Sequence, residues 1–103
     1  MAIRNSQISS VGSQIYFSTG TNAITTIFFC NSSVVDTAEV TVYAVPNGSV
    51  VSTGTMILNS VSLPPTETFV MDNEKLILGP NDTLYAVSSV NNIVVSTISS
   101  VSI

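Results

Sequence analysis

Any chemistry in this chain has to be done without histidine, which the sequence lacks. That removes the commonest general base and the commonest zinc ligand. Cys30 is the single cysteine; with no histidine to activate it and apolar neighbours on both sides, it reads as a small buried hydrophobe rather than a nucleophile. Lys75, between Glu74 and Leu76, reads as a solvated turn residue. Asp72, Glu74 and Asp82 are the acids close enough in sequence to weigh as a pair for glycoside hydrolysis. They fall in turns flanking a short apolar piece, where charges ordinarily cap or solvate loops. Asp72, Asn73, Glu74 and Asp82 also offer hard oxygen ligands of the kind calcium takes, without the spacing of an EF-hand. Asn31, Asn47 and Asn81 open glycosylation sequons, which read as chance matches in a Ser/Thr-rich chain. The sequence therefore assigns no catalytic, metal-binding or cofactor-binding residue, and the chain is expected not to be an enzyme.

The elements that would position these residues are strands. The stretch Ala23 to Pro46 reads as a long central hairpin. Its first arm packs Ile24, Ile27, Phe28, Phe29 and Cys30 among threonines, and Asn31, Ser32, Ser33 and Asp36 supply turn chemistry. Its second arm alternates, with Val40, Val42 and Ala44 on one side and Glu39, Thr41, Tyr43 and Val45 on the other. Phe28 is expected to face inward, sharing a side with Ile24 and Cys30.

Before the hairpin, residues 14–18 form a short strand built on Ile15 and Phe17, with Tyr16 opposite. After it, Pro46–Asn47–Gly48–Ser49 turns the chain, and residues 50–53 read as a short edge segment. Strands are expected over Gly54–Leu63 and Glu67–Met71, the latter with Phe69 and Met71 on one face. A turn at Asp72–Asn73–Glu74 precedes the apolar piece Leu76–Leu78. Gly79–Pro80–Asn81–Asp82 suits a tight turn, with proline pre-setting φ at its second position. Thr83–Val90 and Ile93–Ile103 close the chain as strands joined by a tight Asn91–Asn92 hairpin loop. About eight strands at near ten-residue spacing, with no helical periodicity, predict an all-β fold: an antiparallel β-sandwich, jelly-roll-like.

Residues 1–13 carry only Ile3, Ile8 and Val11 as spaced apolar positions. They read as an extended N-terminal arm beside a single sandwich domain at residues 14–103. The arm is expected to gain order by docking on a neighbouring subunit or another protein.

Composition narrows the classes of function. Hydrophobic residues make up 45% of the 103 positions, but charged residues only 8%, against roughly 25% in a typical soluble domain. Ser, Thr and Asn stand in their place, and such a surface costs little to desolvate when its hydroxyls find partners. The formal net charge is −4, with Arg4 and Lys75 as the only cations. No basic stripe exists for nucleic acid and no polybasic patch for a membrane. The N-terminus has no apolar segment of signal-peptide length, and no apolar run approaches the roughly 18 residues of a membrane span. The expectation is a chain made in a reducing cytoplasm and packed there against other proteins.

Three stretches in order carry a resemblance: Thr25–Gly48 (TTIFFCNSSVVDTAEVTVYAVPNG), Leu63–Ala86 (LPPTETFVMDNEKLILGPNDTLYA), and the Ser/Thr/Val-rich closing strand. Together they resemble small β-sandwich virion proteins of tailed bacteriophages, including cyanophages. In those, a hairpin with an Asn-Ser/Thr loop leads to a Val-Pro turn, and a later Leu-x-Pro-Gly-Asp-Thr-like turn enters the penultimate strand. Here that turn is Leu78–Thr83, with Asn81 where glycine is more usual. The resemblance implies a non-enzymatic structural protein of the virion, assembled in the host cytoplasm. A capsid decoration (cement) protein is favoured, forming a homo-oligomer (a trimer would suit a site between capsomers) and seated on the major capsid protein or another virion protein. The alternative is a tail, baseplate or fibre module touching a host glycan through Tyr16, Tyr43 or Tyr85.

Overall fold

The computed structural model describes residues 2–71 and 76–103. Nine strands follow in order: β1 (Ala2–Ile8), β2 (Ser13–Phe17), β3 (Asn22–Asn31), β4 (Ala38–Val45), β5 (Met56–Leu63), β6 (Thr68–Met71), β7 (Leu76–Leu78), β8 (Thr83–Ser88) and β9 (Val94–Ser102). They form two antiparallel sheets. One runs β1-β9-β3-β6, with β7 also on β3; the other runs β2-β8-β4-β5. The all-β sandwich expected from strand spacing is the fold, with a single 3-10 turn at Thr53–Thr55 where residues 50–53 were expected as an edge segment. Ser52 caps that turn, its Oγ accepting from the Gly54 N–H.

The central hairpin is not a hairpin. β3 pairs with β9, β6 and β7, whereas β4 lies in the opposite sheet between β8 and β5. Residues 32–37 therefore carry the chain across the sandwich. The expected Asn91–Asn92 hairpin is likewise a crossing between β8 in one sheet and β9 in the other. Asn92 does take the positive φ, 62°, that asparagine tolerates.

β3 also corrects the inside-outside assignment. Phe29 is 1% exposed and Phe28 39%. Between Ile24 and Thr26 the register against β9 slips by one, because Thr25 is an extra residue on β3. A bulge of this kind reverses the parity of everything beyond it. Ile24 and Ile27, three apart, both reach the core, and Phe29 follows Ile27 inward. A second bulge, at Ile15, brings both Ile15 and Tyr16 inward, although strict alternation put Tyr16 opposite.

Residues 2–8, expected in a separate arm, form an edge strand of the sandwich. β1 pairs along β9 of the same chain from Ala2↔Ser100 to Ile8↔Val94. Ile8 is fully buried in the core, and the Arg4 guanidinium lies 5.0 Å from the centre of the Tyr16 ring. The three apolar positions looked too sparse for an element because β1 is held mainly by its backbone ladder, with one anchor in the core.

The core fills the space between the sheets. Ile24, Ile27, Phe29 and Ile98 from the first face Ile15, Val40, Val42 and Leu84 from the second. β9 interleaves Val94 and Ile98 with buried Ser96 and Ser100; the Tyr16 hydroxyl donates to Ser100 Oγ at 3.2 Å.

Candidate functional site

Two turns hold the polar residues singled out in the sequence. In Gly79–Asp82 the Asp82 N–H donates to the Gly79 carbonyl, and Asn81 has φ 66°. Proline at the second position and positive φ at the third are what a type II turn requires. Asp82 Oδ2 accepts from the Gly79 N–H and Oδ1 from the Asn47 N–H, both at 2.8 Å. Its carboxylate thus joins this turn to the Pro46–Ser49 turn, where Gly48 has φ 86° and the Ser49 N–H donates to the Pro46 carbonyl. Both oxygens of Asp82 serve the backbone, and this is the structural role its place in the turn predicts. Asp72, Asn73, Glu74 and Lys75, and with them most of the calcium and paired-acid readings, lie outside the described residues. Among the described residues no group of three or more His, Cys, Asp or Glu side chains converges.

Asn31 sits at the end of β3 with its side chain 1% exposed. Its Nδ2 donates to the carbonyls of Asp36 (2.8 Å), Leu63 (2.9 Å) and Pro64 (3.3 Å), and its Oδ1 accepts from the Ser33 N–H (3.0 Å). A sequon asparagine so enclosed is a structural clamp in the folded chain. Its bonds to Ser33 and Asp36 are the turn chemistry expected of it; those to Leu63 and Pro64 were not legible in the sequence, because they depend on two loops far apart in the chain meeting.

Cys30 is half-buried on the outer face of the first sheet, between Thr68 of β6 and Val95 of β9, rather than in the core. The same parity reversal that turns Phe29 inward puts it there.

Two apolar clefts open where the sheets part. One, of about 430 Å³, is lined by Ile57, Leu58, Phe69, Met71 and Leu76. The other, of about 190 Å³, lies between Ala44–Pro46 and Leu76–Leu78, with Asp82 at its rim. Among the described residues the first is lined by no polar side chain, and in the second the Asp82 carboxylate is already engaged. Among the described residues neither brings together groups that could do acid–base or nucleophilic work.

The feature with most reach is the outer face of the first sheet. Cross-strand register lays its residues in rows: Asn5–Thr97–Phe28–Val70, Gln7–Val95–Cys30–Thr68, Ile3–Ser99–Thr26, and Val101–Ala23–Ile77. Not one of these is charged. Ile3, Phe28, Val70 and Ile77 are exposed on it. Among the described residues the acids are elsewhere: Asp36, Glu67 and Asp82 in loops and Glu39 on β4 of the other sheet. A face of β-branched, aromatic and hydroxyl side chains, free of charge, carries little desolvation cost when another protein covers it.

The outer face of the second sheet differs. There Tyr43 and Tyr85 stand directly opposite each other on β4 and β8, both half-buried, with Gln14 next in the row. Tyr16, the third tyrosine, is in the core. Among the described residues no helix is long and apolar enough to cross a membrane.

No family model, no curated protein and no solved structure matches this chain.

Proposed function

We propose that the chain is a non-enzymatic structural protein of a tailed-phage virion, and specifically a capsid decoration protein that packs against neighbouring proteins through the outer face of its first sheet. The uncharged rows across β1, β9, β3 and β6/β7 carry the packing half of this reading. Charged residues are depleted at the centres of protein interfaces, and here the described residues in the cross-strand rows of this face include none. The particle half rests on the resemblance of the Thr25–Gly48 and Leu63–Ala86 stretches to small virion β-sandwiches. Quantitative protein counting on the purified virion that carries the chain tests it. A copy number matching the capsid lattice supports a decoration protein; a copy number matching the tail overturns it.

A tail or fibre module that touches a glycan is the second reading. Its support is the Tyr43–Tyr85 pair, since adjacent aromatic rings beside an amide can stack on and orient a sugar ring. A tail-like copy number, together with loss of host-cell binding in Tyr43→Ala, is the outcome that favours it.

A further inference from the structure

The sandwich has four sheet edges, and three of them are blunted. β2 carries the extra residue Ile15, where its register on β8 slips. β5 slips twice against β4, and Ser60 within it has φ 52°. Beyond β3 the described residues of the edge form two short strands, of four and three residues. Bulges and short length are the usual means by which edges are kept from pairing with other chains.

β1 has neither. Its seven residues run on β9 without a slip, and none has positive φ or is proline. Its single charge, Arg4, shares a face with Ile98, toward the sandwich, where it lies over the Tyr16 ring. One edge of β1 is taken by β9, and the other presents backbone donors and acceptors to whatever can match them.

We propose that this outer edge pairs antiparallel with β1 of a second copy, across a two-fold axis, joining two first sheets into one continuous sheet. Length and charge set the register. Residues facing each other in an antiparallel pair lie on the same face, so the axis must pass beside a single residue. Beside Arg4 it would set two guanidinium groups directly opposite, which is unfavourable. Beside Ser6 only Arg4–Ile8 would overlap. Beside Asn5 the whole of β1 is paired, Arg4 faces Ser6, and Ile3 faces Gln7. The contact is isologous and closes on itself, so it limits assembly to a pair rather than a fibre. It makes the two uncharged outer faces continuous, and it holds whether or not the chain belongs to a virion. Two-fold association through β1 replaces the three-fold association favoured from sequence.

Sedimentation equilibrium of the full chain and disulfide trapping test this. Wild type should sediment as a concentration-dependent dimer. Asn5→Cys in a Cys30→Ala background should cross-link to a dimer on mild oxidation, because residues facing at the axis bring their Cβ atoms to roughly 4.5–5.5 Å. Gln7→Cys alone should not cross-link, whereas Ile3→Cys mixed with Gln7→Cys should yield the heterodimer. Asn5→Lys should sediment as a monomer with unchanged β circular dichroism; if that variant unfolds, the trapping result alone decides. A wild type that stays monomeric at every concentration overturns the proposal. So do equal cross-linking of Asn5→Cys and Gln7→Cys, and a dimer that Asn5→Cys does not trap.

Discussion

The side-chain amide of Asn31, at the end of β3, donates to the carbonyl of Leu63, at the end of β5 in the other sheet, over 2.9 Å. The same amide holds Asp36 and Pro64, so one buried group fastens the β3–β4 crossing to the β5–β6 turn. Asn31→Ala leaves these carbonyls and the Ser33 N–H to find water or strain, and should cost about 2–4 kcal/mol in chemical denaturation. Asn31→Asp separates hydrogen bonding from size. A carboxylate only accepts, and here it would face carbonyls; only the protonated acid can donate. The folded state therefore holds that proton more tightly than the unfolded state, so the folded pKa is raised. The variant's stability relative to wild type should be greatest below the ordinary aspartate value, about 3.9, and should fall as pH rises above it. A difference from wild type that is flat between acid and neutral pH would show that the amide's donors are not what matters.

Phe29 and Phe28 differ in burial, 1% against 39% exposed. Phe29→Ala should cost roughly 3–5 kcal/mol, as cutting a core aromatic does. Phe28→Ala should stay within about 1 kcal/mol of wild type, as most surface changes do. Thermal melts of the two variants side by side decide the matter, and equal losses would contradict the bulge at Thr25.

That bulge shows how far the sequence could be read. The alternation of Val40 and Val42 against Glu39 and Thr41, and of Val94 and Ile98 against Val95, is a local signal that the burial follows, but it fails at the end of β4, where Val45, expected opposite Val40 and Val42, is buried as well. So are proline and asparagine in the Gly79–Asp82 turn, and Asp82 bonded to the backbone there. Thr25 and Ile15 leave no such mark: Thr25 is one more β-branched residue in the run Ile24–Ile27, and Ile15 stands in an ordinary strand sequence, yet each reverses parity. Nor does a polar loop say whether it turns back beside its strand or crosses to the other sheet, as residues 32–37 do. That is decided by which strands β3 finds to pair with, and β9 lies some seventy residues on. The uncharged face was legible only as low overall charge, because its rows exist only once the register is known.

Gly12 has φ 109°, and a Cβ there would lie 2.5 Å from Tyr85 Cε1. The glycine both takes a backbone conformation that side chains avoid and lets the tyrosine ring lie against the β1–β2 loop. Gly12→Ala should destabilise by more than 1 kcal/mol or so, the ordinary scale for alanine placed at an incompatible φ. Adding Tyr85→Ser should recover only part of the loss, since it removes the clash and leaves the backbone strain. Full recovery in the double variant, read by denaturant midpoints, would assign the whole effect to the ring.

Asp82 tests the turn-to-turn link. Asp82→Asn keeps one acceptor oxygen for two N–H donors, Gly79 and Asn47, and should cost about 1 kcal/mol. Asp82→Leu removes both acceptors and should cost roughly 2–3 kcal/mol by the same reasoning. Added calcium should shift the melting of neither variant nor wild type. A calcium-dependent rise in wild type alone would instead place a metal ion at this turn.

Thr66 offers a gain rather than a loss. It is exposed and β-branched, yet has φ 67°, in the left-handed region that such residues avoid. Two backbone bonds hold it there: its own N–H donates to the Ser33 carbonyl at 2.9 Å, and the Glu67 N–H donates to the Pro64 carbonyl at 3.2 Å. Both belong to the junction that Asn31 fastens, so the strain is sustained by that network and not by the threonine side chain. Thr66→Asn keeps the bonds and suits the conformation, and it should stabilise by about 0.5–1 kcal/mol, a fraction of the left-handed cost. Thr66→Gly relieves the same strain but loosens the unfolded chain, which offsets roughly 0.5–1 kcal/mol of the gain. The order of melting temperatures should therefore be Asn above Gly, and Gly close to Thr. If Asn and Gly both melt below wild type, the threonine side chain contributes to the junction and the strain argument fails.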